Sequence, residues 1–272
     1  MIHFRRLRRS CRAFAVPVTY LTLFVSLLVI VSVTYSYAVV KINGKNAQVK
    51  GSVAKQNMQI LDDVVHRVAW SHGASEVISM DDCGGTFKTA ATNIRLLLNL
   101  TDESSFNDIL FDSPVGQAKY ELQNGIGDIG TYFRGDGRAV INATAFTVTQ
   151  LHVTSGENSV QIVLNYRPFA TSTTVGQSDG KPVNRIRINI LSLNASESLW
   201  LKEKFSLKIG SLNVTCRTCS YSLNTSVSSL ALKAELDGTE TTIWLPIESN
   251  IQGANVIVDI VTCTIKIQKM EA

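Results

Sequence analysis

The sequence is short of the residues that do chemistry. Only four histidines and five cysteines are spread over 272 residues. No His, Cys, Asp and Glu cluster stands at metal-ligand spacing, and no carboxylate pair is set out for acid–base work. A one-signed field is missing as well. The chain carries 26 Lys and Arg against 22 Asp and Glu. Five of the basic residues are Arg5, Arg6, Arg8, Arg9 and Arg12, so the remainder is nearly neutral. A near-neutral body offers no electrostatic footprint for nucleic acid. These gaps exclude the commoner enzyme and nucleic-acid classes and imply no cofactor. The chain reads as non-enzymatic.

The longest absence is of charge itself. Between Phe14 and Val40 there is no Lys, Arg, Asp or Glu. A secretory signal needs an apolar core of only about 7–15 residues. The uncharged run is roughly twice that, long enough for a hydrocarbon core of about 30 Å. We read residues 1–13 as a basic cytoplasmic leader and 14–40 as a transmembrane helix in the lipid bilayer. The arginines hold the leader inside the cell membrane, so everything after Lys41 lies outside. Tyr35 and Tyr37 sit where amphipathic rings favour the interface. Pro17 falls in the first turn of the span, where a missing N–H costs little.

Residues 41–73 read as an amphipathic helical extension. Leu61, Val64, Val65, Val68 and Ala69 make a stripe at spacings of three and four. Asp62 and Asp63 are assigned to other faces, and His66 to the stripe's edge as a partly buried structural residue. Gly73 is the expected helix stop. Joined to the span, the helix would run about 59 residues, or roughly 90 Å. Its first half must then lie in a membrane or against neighbouring copies.

From residue 74 to 272 the period becomes strand-like. "SEVISM", "RIRINIL" and "CTIKIQK" alternate between apolar and polar faces. Short strands with Gly, Asn and Asp turns predict a mainly antiparallel β-sandwich behind the long helix, an α+β chain. Residues 171–181 read as a surface loop.

Five sequons, at Asn99, Asn142, Asn194, Asn213 and Asn224, lie on the predicted outer side as candidate glycosylation sites. Cys83, Cys216, Cys219 and Cys263 also lie there. An even number allows two disulfides in three connectivities. Free thiols, or a zinc or redox role for the Cys216-Arg-Thr-Cys219 pair, remain open. Redox C-x-x-C expects a βαβ setting, and zinc needs a second close pair.

Four further motifs have bland readings. Gly125-Ile-Gly127-Asp-Ile-Gly130 fits G-x-G-x-x-G but lacks the following helix that binds pyrophosphate. Gly176-Gln-Ser178-Asp-Gly180 fits G-x-S-x-G without a strand-to-helix elbow, and His152 precedes the serine. Arg134-Gly-Asp136, an adhesion-like tripeptide, reads as a turn, as does Asp81-Asp82.

The order of parts carries a resemblance. Arg12-Ala13 stands before Phe14 and "AVPVTYLTLFVSLLVIVSVTYSYAV", and "VAWSHGASEVISMDDCGG" follows at the junction. Over residues 5–85 this resembles type IV pilin-like proteins with a class III signal peptide, archaeal ones in particular. The resemblance implies leader cleavage between Ala13 and Phe14 by a prepilin peptidase. It implies self-assembly, or assembly with other pilin-like subunits, through the N-terminal helix, in a surface filament or a secretion apparatus. Many bacterial pilins carry Glu at the fifth mature position, where this chain has Val18; archaeal forms commonly lack that acid. The alternative is an uncleaved single-pass surface protein whose β-sandwich is a binding or adhesion module.

Overall fold

A computed structural model describes residues 7–123, 128–142, 147–157 and 159–270, with side chains of the first helix from Pro17 onward. The chain is α+β. One helix, α1, runs Leu7–Val68. Sixteen strands follow among the described residues: β1 Ser75–Met80, β2 Thr86–Ala90, β3 Arg95–Thr101, β4 Asn107–Pro114, β5 Gln117–Gln123, β6 Tyr132–Arg134, β7 Ile141–Asn142 and β8 Thr149–Ser155. Then come β9 Ser159–Tyr166, β10 Phe169–Ser178, β11 Lys181–Ser192, β12 Trp200–Lys202, β13 Phe205–Leu223, β14 Ser229–Leu236, β15 Thr239–Pro246 and β16 Ala254–Lys269.

Two compact units divide the chain, residues 1–48 and 49–272. In the first, the helix is apolar all round and wholly exposed from Pro17 to Ile42. It is the one helix among the described residues long and apolar enough to cross a membrane. Three of its hydroxyls are turned back on the backbone: Thr22 Oγ1 donates to Thr19 O at 2.9 Å, Ser26 Oγ to Leu23 O at 2.9 Å and Thr34 Oγ1 to Ile30 O at 2.8 Å. Such back-bonding lets Ser and Thr sit in an apolar environment without orphaned donors. Lys41 lies 5.6 Å from the Tyr37 ring centroid, at the end of the uncharged run. Pro17 is inside the helix. The expectation of a first-turn proline is therefore corrected, because the helix already begins at Leu7.

The second unit takes in the amphipathic part of α1 together with all the strands. Ala54, Met58, Leu61, Val64, Val65 and Val68 are buried in the same cluster as Phe87, Tyr120, Leu164, Leu207 and Ile265. The helical stripe is thus one wall of a core. The helix stops at Val68 rather than near Gly73. Trp70, with φ 67°, takes the left-handed position, and its N–H donates to Cys263 Sγ at 3.4 Å. A left-handed Trp is sterically costly, and only surrounding contacts hold it.

Three sheets complete the unit. Their orders are β1-β13-β16-β11-β10-β7, β12-β2-β5-β9-β8-β6 and β15-β14-β3-β4. Pairing is antiparallel except β11 with β16 and β10 with β7. β16 explains the architecture. Its first half buries Val256, Val258 and Ile260 in one core, with β3, β11 and β14. Its second half buries Cys263, Ile265 and Ile267 in the other core, beneath the amphipathic end of α1. The buried parity switches between Ile260 and Cys263, so the first sheet is covered on opposite faces along its length. The expected sandwich is built as two offset cores sharing one sheet.

The expected loop at residues 171–181 is instead a hairpin. β10 and β11 turn at Asp179-Gly180, with φ 54° and 77°. Two consecutive positive φ values are what a type I′ hairpin needs, and Asp-Gly supplies them.

Leu61 is fully buried, so Leu61→Ala should lower the stability of the second unit by about 2–5 kcal/mol. Val18 is 54% exposed on the apolar helix, so Val18→Ala should leave the same unfolding midpoint unmoved. Denaturant unfolding of the full chain in detergent, followed by tryptophan fluorescence, separates the two.

Candidate functional site

The structure draws together neither the cysteines nor the serine motif, but a charged group under the helix. Asp62 is fully buried, which corrects its assignment to a polar face. It lies on the side of α1 facing the second sheet, and that sheet brings its partners. Arg134 Nη1 donates to Asp62 Oδ2 at 2.5 Å and to Asp63 Oδ1 at 2.6 Å. Thr149 Oγ1 and Tyr166 Oη donate to Asp62 Oδ1 at 2.8 and 2.9 Å. His66 Nε2 stands 2.8 Å from Thr149 Oγ1 and 3.4 Å from Asp62 Oδ1. Thr149 has a single hydroxyl proton, and it goes to Asp62. His66 must therefore carry hydrogen on Nε2 to complete the bond.

Burial by itself would raise the Asp62 carboxyl. The hydrogen bond and charge of His66, with bonds from Arg134 and Thr149, outweigh it and hold the group below its ordinary value of 3.8. Tyr166 is pushed well upward, first by burial and then by the Asp62 charge.

A second knot fixes the segment that carries Arg134. Arg167 is 1% exposed. Its guanidinium donates to Thr147 O at 3.0 Å, to Arg138 O at 3.2 Å and to the Asp136 carboxylate. Arg138 Nη2 also donates to Asp136 Oδ2, at 2.7 Å. Bonds from Arg138 first, then Arg167, hold Asp136 far below the usual carboxylate range against the opposing effect of burial. Gly135, with φ 75°, lies against the Thr149 carbonyl where a Cβ would collide. The Arg134-Gly-Asp136 tripeptide is thus spent on internal ion pairs.

The remaining candidates are scattered. Ser178 ends β10, where its hydroxyl donates to Asp179 Oδ2 at 3.1 Å. His152 is on β8 of a different sheet, stacked on Tyr132 with centroids 5.0 Å apart; burial depresses its basicity. Gly125 and Gly127 lie outside the described residues, and Gly130 closes a turn before β6. Asp81 pairs with Lys204 at 3.6 Å, and Asp82 Oδ1 accepts the Gly84 N–H at 2.7 Å. Ala13 and Phe14 are in α1, but their side chains lie outside the described residues.

All four cysteines after the helix are free, so neither expected disulfide is formed. Cys216 and Cys219 share strand β13, so their Cα atoms are about 10 Å apart along it, beyond disulfide reach. Cys83 is buried beside the Tyr120 hydroxyl, and burial pushes its thiol up. Cys263 is buried against Trp70 N and, at 3.6 Å, Ser211 Oγ. Of the sequons, Asn194, Asn213 and Asn224 are exposed. Asn142 is half-buried on β7. Asn99 is half-buried in β3, between β14 and β4, with its Oδ1 enclosed.

The charged knot seats the amphipathic end of α1 on the second sheet. Sequence reading missed Asp62, Arg134, Tyr166 and Arg167. The available signal was an acid beside the apolar stripe, but no spacing links position 62 to 134 or 166.

Asp62→Asn should destabilise the second unit by about 1–3 kcal/mol, because the bonds from Arg134, Thr149 and Tyr166 lose their charged acceptor while Arg134 keeps Asp63. A carboxyl lowered in the folded state contributes stability above its unfolded value of about 3.9. That contribution disappears as pH falls through the lower folded value. Wild-type stability should therefore drop below about pH 4, and the Asp62→Asn profile should be flatter there. Unfolding midpoints from pH 7 to pH 2 provide the check.

No protein-family model matches the chain, and neither the curated proteins nor the solved structures give a significant match.

Proposed function

We propose that the protein is a pilin-like, non-enzymatic structural subunit of a cell-surface filament or of a secretion or assembly apparatus. The observation that carries this is the division of labour along α1. Pro17 to Ile42 is exposed and apolar on every face, whereas Ala54 to Val68 is packed into a β-domain. A plain anchor needs the first part only. A helix whose far end is built into the core of a folded head suits a subunit that presents its head from a bundle of helices.

Pro17 supports the same reading. Inside a helix beginning at Leu7, it removes the hydrogen bond to the Ala13 carbonyl and crowds that turn. Cleavage between Ala13 and Phe14 would leave Pro17 in the first turn, where no such bond is lost. The mature chain would keep its N-terminal helix in the membrane until assembly, with the β-domain outside. Exposed Asn194, Asn213 and Asn224 would carry glycans, if the host glycosylates; Asn99 would not.

Mapping the mature N-terminus tests the reading. Membrane-extracted protein should begin at Phe14, and Ala13→Arg should retain the leader and block incorporation into filaments. Retention of Met1 or Ile2 in the wild type would overturn it in favour of an uncleaved surface protein with a binding head. Peptide mass mapping of the same material should find any glycan on Asn194, Asn213 or Asn224 and none on Asn99.

A further inference from the structure

The strand β13 is covered on its outer edge only in part. β1 pairs with residues Phe205 to Gly210, and Ser211 exchanges bonds with Gly73 and Ala74. From Leu212 to Tyr221 its other edge is held by β16, but among the described residues no backbone pairs with the outer edge. An unpaired edge presents a row of amides and carbonyls that another strand can match.

The other sheet edges are short or interrupted: β10, paired by β7 only at Phe169 and Ala170, is open beyond them but is bulged between Thr174 and Gly176. β6 and β12 have three residues each and β7 has two. β4 ends in Pro114 and is bulged opposite Leu98 and Asn99, and β15 ends in Pro246. On β1, Glu76 is tied to Arg67 at 2.7 Å. The open run "LNVTCRTCSY" has no proline and a single charge, at Arg217. It is rich in Thr, Val and Tyr, which favour extended chains.

We propose that this edge pairs antiparallel with the same edge of a second copy, making one continuous sheet through a two-fold axis. In such a pair, opposed residues lie on the same face, so their numbers differ by an even count. Centring the axis on Arg217 would place two guanidinium groups opposite each other, which is unfavourable. Centring it on Cys216 sets Arg217 against Thr215 of the second copy and covers Leu212, now 47% exposed, with Ser220. The registers centred on Thr215 and on Thr218 pair only residues 212–218 and 215–221 of the open run, against 212–220 for the axis at Cys216. The structure therefore favours the axis at Cys216, which is exposed and free.

The test uses the full chain in detergent micelles, produced in a host that adds no N-glycan, because Thr215 completes the Asn213 sequon. Cys11→Ser with Cys219→Ser leaves Cys216 as the accessible thiol, and a short bismaleimide should link two chains through it. Thr215→Glu places an acid against Arg217 of the second copy at two equivalent points and should raise the crosslinked fraction roughly three- to tenfold. Thr215→Arg should lower it by a similar factor. Amides 212–220 should also exchange more slowly as protein concentration rises. A monomer band unaffected by either substitution, with concentration-independent exchange, would overturn the pairing. Filaments that form while these amides stay unprotected would sink this inference and leave the pilin-like reading standing.

Discussion

Asp62 cannot be buried alone. A carboxylate taken out of water costs several kcal/mol unless opposite charge and hydrogen bonds replace the lost hydration. Here Arg134, Thr149, Tyr166 and His66 supply them. Three of the four come from strands β6, β8 and β9, which lie far from the helix in sequence. The requirement therefore fixes more than one side chain. It sets the rotation of the helix over the sheet, because a shift of one residue would replace Asp62 with Leu61 or Asp63. It also sets the path of the segment after β6, which Arg167 and Asp136 clamp from the other side. Apolar packing alone holds a helix on a sheet with many near-equivalent registers. A buried ion pair penalises all but one of them.

The shared strand β16 carries a comparable constraint. Its alternation of buried and half-buried residues was legible as a strand from "CTIKIQK" alone. What could not be read is the parity switch between Ile260 and Cys263, since both sides of the switch look like ordinary alternation. Only the partners above and below show that one half faces α1 and the other faces β3 and β14. β1 and β11 were visible from the alternation of "SEVISM" and "RIRINIL". β10 was not, because its Thr- and Ser-rich residues are mostly exposed and carry no apolar alternation. The distal half of β13 was missed for a related reason. Residues 212–222 are mostly exposed on both faces, so no apolar alternation marks them, and the C-x-x-C pair invited a chemical reading.

The charged knot shows the same limit from another direction. The apolar stripe Leu61, Val64, Val65, Val68 was legible because it depends on local period. The Asp62 pairing was not, because it depends on a contact 72 residues away. Arg134-Gly-Asp136 reads as an exposed recognition tripeptide only when its surroundings are unknown. In place, its arginine neutralises the helix, its glycine admits the Thr149 carbonyl, and its aspartate neutralises Arg167.

These constraints bear on function through the amphipathic end of α1. A buried ion pair fixes that end on its sheet, so it cannot turn about its own axis within the β-domain. The domain therefore owns the last turns of the helix as part of its core, with no linker between helix and fold. Without the ion pair the apolar stripe would still seat the helix end, but its rotation on the sheet would be free to slip; with it, the last turns of α1 are a fixed part of the β-domain's core.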